Sequence, residues 1–165
     1  MAERPAAIWK DLPVETRARV AEAFWRDEES PDIQMQQVEA ALAIARRMNF
    51  RPKSVAGLSI ERRAKVLAQI RDVSDAIATR ALISYHFADQ RPLMGAFLDA
   101  LGIAHENGLI QAEQVDPPPA DRIRKAIAAV QETFPPADVT LYVRTLAALD
   151  GDTWANVEPE ILPTP

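Results

Sequence analysis

The stretch Ala120-Asp-Arg-Ile-Arg-Lys-Ala-Ile-Ala-Ala-Val-Gln-Glu-Thr-Phe134, then Pro135-Pro136, then Ala137-Asp-Val-Thr-Leu-Tyr-Val-Arg-Thr-Leu-Ala-Ala-Leu149, decides the fold class. Ile123, Ala126, Ile127, Val130 and Phe134 recur at helical spacing, as do Val139, Tyr142, Val143, Leu146 and Leu149. Each set lies along one side of a 3.6-residue helix, and the two prolines end one helix and admit the next, because a proline at a first turn gives up a hydrogen bond no helix makes there. The expectation is a helical hairpin over 120–157 docked on the earlier helices, with Gly151 ending its second helix, Trp154 and Val157 folding back as a clasp, and 158–165 as a tail that is ordered on contact or disordered.

Working outward, Asp116-Pro117-Pro118-Pro119 reads as a semi-rigid spacer, so a linker is placed at 113–119 and a main helical domain at 1–112. In that domain the first helix is expected to open at Asp11-Leu12-Pro13 and run to Asp27, with Val14, Ala18, Ala21, Phe24 and Trp25 inward. Ser30 is expected to cap a second helix ending near Asn49, whose buried stripe is read as Ile33, Val38, Ala41, Leu42, Ala45 and Met48, before Pro52 enforces a loop. Residues 60–88 keep helical period as one helix or two, with a break favoured near Asp72 to Ser74, where Ser74 can cap a new start. Pro92 to Leu101 reads as a short helix closed by Gly102, and Ile103 to Gly108 as one further helical turn with a tight bend at Asn107-Gly108.

Composition agrees with the pattern. Twenty-nine of 165 residues are alanine and only 6% are aromatic, which favours helix over sheet. The resulting expectation is an all-α protein, an irregular bundle of six to eight helices without a sheet. A chain of this length can withdraw roughly 70% of its unfolded surface from water, so it needs no metal or crosslink to hold a core.

The same counts narrow the chemistry. Cysteine is absent, which removes disulfides, thiolate zinc sites, iron-sulfur clusters and cysteine nucleophiles. No basic-then-apolar leader is recognisable, and the longest apolar run, Ala40 to Ala45, falls far short of the ~20 residues a membrane span needs. The chain therefore reads as a cytoplasmic protein that does not cross a membrane. Neither a Gly-x-Gly-x-x-Gly run nor a Walker-type loop is present, and no glycine-flanked serine elbow offers a nucleophile.

Three sets of residues are candidates for function. His86, Asp89, His105 and Glu106 gather both histidines with two carboxylates, a donor set suited to a divalent metal or to acid/base catalysis, although the spacing matches no metal signature and no cofactor is otherwise implied. Arg46, Arg47, Arg51, Lys53, Arg62, Arg63 and Lys65, in a 46–71 segment with a balance of +7, could hold phosphates, while the overall charge of −5 weighs against nucleic acid. Phe24 and Trp25 are neighbours that point about 100° apart, and Met94 and Phe97 lie in an amphipathic corner, so these four are candidates for contact with a protein partner. The leading expectation is a non-enzymatic helical interaction module, binding a partner or a second copy of itself. The alternatives are a metal-dependent or acid/base enzyme and a phosphate or nucleic-acid binder.

Overall fold

Proline and serine punctuation sets the element order in the computed structural model, which describes residues 3–163. The helices are α1 (Pro5–Asp11), α2 (Val14–Arg26), α3 (Ile33–Met48), α4 (Pro52–Ala56), α5 (Ile60–Gln69), α6 (Asp75–Asp89), α7 (Arg91–Leu101), α8 (Ala120–Gln131) and α9 (Pro136–Leu149). A hairpin of β1 (His105–Glu106) and β2 (Leu109–Ile110) lies between α7 and α8, and a 3₁₀ turn spans Pro159–Ile161. The described residues form two compact units, one of Arg4–Asp89 and one of Gln90 onward together with Glu3. The Pro117-Pro118-Pro119 run lies inside the second, where Pro119 is the N-cap of α8.

The chain is mostly helical, as its composition dictates, but nine α-helices are present among the described residues where six to eight were expected. Two were missed because each is a short helix that begins on proline without a side-chain cap: α1 in the supposed lead-in, and α4 where Pro52 was read as a loop. The third departure is the hairpin. Asn107 and Gly108 both hold positive φ, 51° and 89°, which turns the chain back on itself, pairing His105 with Ile110 and Glu106 with Leu109 instead of adding a helical turn.

In the first unit α2 is the central element, packed on α5 and α6, with α1 on α6 and α3 against α4, α5 and α6. Trp9, Phe24, Ile44, Leu67, Ile77, Leu82 and Tyr85 fill the core. The break between α5 and α6 falls where expected: the Ser59 hydroxyl accepts the Arg62 N–H at the start of α5, and the Ser74 hydroxyl accepts the Ile77 N–H at 3.2 Å. Both are N-cap bonds that satisfy amides a first turn leaves open. Asp75 fixes α1 as well, accepting from the Arg4 side chain and from the Ala6 N–H. These contacts hold its carboxyl below the usual carboxylate range.

In the second unit α7 packs on α8, and α8 on α9. Phe97 is the hub, edge-on to Tyr142 with ring centroids 5.6 Å apart and tilted against Trp154 at 6.0 Å. Burial pushes the Tyr142 phenol pKa up. Trp154 is buried, as the expected clasp requires, and the supposed tail also contributes, since Ile161 is buried in the 3₁₀ turn.

Candidate functional site

Helix α3 has apolar residues on two opposite sides. Ile33, Ala40 and Ile44 are buried, and between them Gln37 donates to the carbonyls of Phe24 and Asp27 at 3.0 and 3.1 Å, which fixes the rotation of α3 against the end of α2. At 100° per residue, Met35, Val38 and Leu42 centre on the opposite side. They are 71, 61 and 39% exposed. This corrects the buried stripe read from the sequence, which included Val38 and Leu42. A helix apolar on both sides offers two stripes with equally good periodicity, and the Gln37 bonds select the other one.

Single exposed apolar residues are ordinary, but three large ones at i, i+3 and i+7 form a continuous strip. Exposed polar residues flank it, Glu39 beside its middle between Val38 and Leu42, and Arg46 one turn beyond Leu42. Asn49 closes the helix in a left-handed conformation, and the Phe50 N–H returns to the Ala45 carbonyl at 2.8 Å. Phe50 is itself exposed. The signal was present in the sequence as a surplus of apolar residues on α3.

The partner-contact residues expected from the sequence lie elsewhere. Phe24, Trp25, Met94 and Phe97 are all buried. The adjacent Phe24 and Trp25 lie on α2, which packs on both α5 and α6. Arg63 lies 5.1 Å over the Trp25 ring, a cation–π contact that covers the indole. The Trp25 Nε1–H finds no acceptor among the described residues. Met94 supports the turn, its Cβ in the space a side chain at Gly108 would occupy.

The histidine and carboxylate candidates belong to different units, His86 and Asp89 to the first, His105 and Glu106 to the second. His86 is buried on α6 with Nδ1 2.8 Å from the Leu82 carbonyl, and burial lowers its pKa from 6.5 to about 4. His105 has both ring nitrogens engaged: Nδ1 accepts the Gly108 N–H at 3.1 Å, so Nε2 carries the proton and donates to Asp99 at 2.7 Å. Its ring lies over Gly95, where a Cβ would come within 3.2 Å. Among the described residues no group of three or more His, Asp or Glu is arranged to hold a metal ion.

Of the basic candidates, Arg46, Arg47, Arg51, Lys53, Arg62 and Lys65 are exposed along the end of α3, α4 and the start of α5. Arg63 is partly covered, donating to the Leu58 carbonyl as well as stacking on Trp25. Arg46 and Arg47 occupy the last turn of α3, where the helix dipole favours cations. No helix among the described residues is long and apolar enough to cross a membrane. No family model, no curated protein and no solved structure matches this chain.

Proposed function

We propose that the protein is a non-enzymatic helical module that associates with a second copy of itself through the exposed face of α3. The observation that supports this reading is the strip of Met35, Val38 and Leu42, opposite the side of α3 already buried in its own unit. Their i, i+3, i+7 spacing is the seam along which two helices pair. The charges beside the strip favour an antiparallel pair. With Leu42 of both copies at a two-fold axis, Glu39 of each lies beside Arg46 of the other, an isologous arrangement that closes at two subunits. One helix per copy is a small interface, so the dissociation constant is expected on the order of micromolar or weaker.

Sedimentation equilibrium over a range of concentrations tests the reading. The parent protein is expected to pass from monomer to dimer, Val38→Glu to stay monomeric, Glu39→Arg to weaken the dimer, and Glu39→Arg with Arg46→Glu to restore it. A parent that is monomeric at every concentration, or a dimer indifferent to Val38→Glu, would overturn it.

A second reading is polyanion binding through the basic segment. It is favoured by the six exposed cations there and by the exposed ring of Phe50 between Arg47 and Arg51. Retention on a heparin column that falls steeply with salt would support it, and a flat salt response would remove it.

A further inference from the structure

The second unit holds a cleft of about 450 Å³ beside α9. Its walls are mainly apolar, formed by Ala147, Trp154, Val157, Pro159 and Leu162, and among the described residues that line it the one cation is Arg144. The Arg144 guanidinium is already engaged by a carboxylate in the two-pronged manner that planar groups favour: Nε donates to Glu3 Oε2 at 2.9 Å and Nη2 to Glu3 Oε1. Glu3 comes from the far end of the chain, 141 residues away in sequence. Both partners are only partly exposed, with side-chain accessibilities of 21% for Arg144 and 36% for Glu3. Glu158 also lines the cleft, but it is an exposed residue.

An apolar pocket of a few hundred Å³ with one well-placed polar anchor is the usual form of a small-molecule site. The anchor here selects a carboxylate, and at ~30 Å³ per water-sized group the volume admits at most about 15 non-hydrogen atoms. We propose that this cleft binds a small monocarboxylate with an apolar body, whose carboxylate replaces that of Glu3 on Arg144 while its body fills the space lined by Trp154, Val157 and Leu162. The exchange keeps Arg144 paired throughout, so no partly buried guanidinium is stripped of its partner, and the gain is the apolar surface removed from water. Glu3 then acts as a tethered competitor that lowers affinity for every ligand of this class.

Octanoate is the probe, with octanamide as the uncharged control, titrated into full-length protein by calorimetry and by following the Trp154 indole N–H in a nitrogen–proton spectrum. The parent is expected to bind one octanoate, shifting the Trp154 signal, and Glu3→Ala, in which Arg144 has lost the Glu3 carboxylate, to bind octanamide at least tenfold more weakly than octanoate. Glu3→Ala, at a partly exposed position near the chain start, is expected to bind octanoate about tenfold more tightly. Arg144→Lys keeps the charge but loses the fork, and is expected to weaken octanoate while leaving octanamide unchanged. The proposal is overturned if Glu3→Ala binds octanoate no better than the parent, if Glu3→Ala binds octanamide as well as octanoate, or if saturating octanoate leaves the Trp154 signal of Glu3→Ala unmoved.

Discussion

The Arg17 guanidinium donates from Nε to the Ala68 carbonyl at 2.6 Å, joining α2 to the last turn of α5. Its Nη1 reaches the Leu12 carbonyl, also at 2.6 Å, just beyond α1. A single buried side chain thus meets carbonyls that two helix ends leave without intrahelical partners. Burial, with Arg71 nearby, lowers the Arg17 pKa. Replacing it with Met keeps the apolar stem but leaves both carbonyls unmet, and is expected to cost about 3 kcal/mol. Arg17→Lys is expected to lose a similar amount, since a point donor cannot span the two acceptors. Urea unfolding followed by circular dichroism measures both, and a loss under 1 kcal/mol for Arg17→Met would refute this account.

His86 sets the acid side of the stability profile. Its pKa is 6.5 in the unfolded chain and about 4 when buried, so between those values the unfolded state binds the proton and the folded state does not. Stability is therefore expected to fall as pH drops from 6.5 to about 4, by roughly 3 kcal/mol in total, with no further loss from this group below that. Asp27 acts in a lower window. Its carboxylate, despite partial burial, is held below 3.8 by donation from the Ser30 and Ser84 hydroxyls and from the Ser30 and Glu29 amides, so the stability it contributes is lost as pH falls below 3.8. Urea midpoints at pH 7.5, 5.5 and 4.2 should show the first slope in the parent and its absence in His86→Gln.

Gly108 is required twice over. Its φ of 89° is strained for any side chain, and a Cβ there would lie 2.9 Å from Met94 Cβ. Gly108→Ala is expected to cost about 2 kcal/mol and to release the bond from its N–H to His105. Asn107→Gly, at φ 51°, should be tolerated within ~0.5 kcal/mol. Thermal melts of the two variants decide the matter, and an unchanged melt for Gly108→Ala would refute it.

The two sides of α3 should respond oppositely to substitution. Ile44→Ala removes a fully buried side chain and is expected to cost about 3 kcal/mol. Val38→Glu changes an exposed one and should alter the stability of the dilute monomer by no more than ~0.5 kcal/mol. Chemical denaturation at concentrations below dimerisation separates these outcomes, and a large loss for Val38→Glu would mean that this side is covered within the monomer.

The features legible in the sequence are those with a local cause. Ser59 and Ser74 cap helices by bonding amides three residues on, Gly102 closes α7 in a left-handed conformation, and Pro135-Pro136 parts two stripes that do become α8 and α9. Three features depend on tertiary packing and were not legible. The rotation of α3 is set by Gln37 reaching carbonyls of α2, which spacing cannot reveal. Asn107-Gly108 gave a turn signal, but strands of two residues are too short to show alternation. His86 and His105, with a short helix between them in sequence, fall in separate units, a division that spacing along the chain does not reveal. Glu3 and Arg144 show the converse, a pair brought together from opposite ends of the sequence.

The distribution of tryptophan gives each unit its own optical reporter. Trp9, whose Nε1–H bonds the Ile70 carbonyl, and Trp25, under the Arg63 cation, belong to the first unit, and Trp154 to the second. All three are buried, so each indole emits at short wavelength until its surroundings open to water. In Trp154→Phe the emission follows the first unit alone, and in Trp9→Phe with Trp25→Phe it follows the second. Matching denaturation curves would mark one cooperative transition and divergent ones two, so the energetic independence of the halves can be read without attaching a dye.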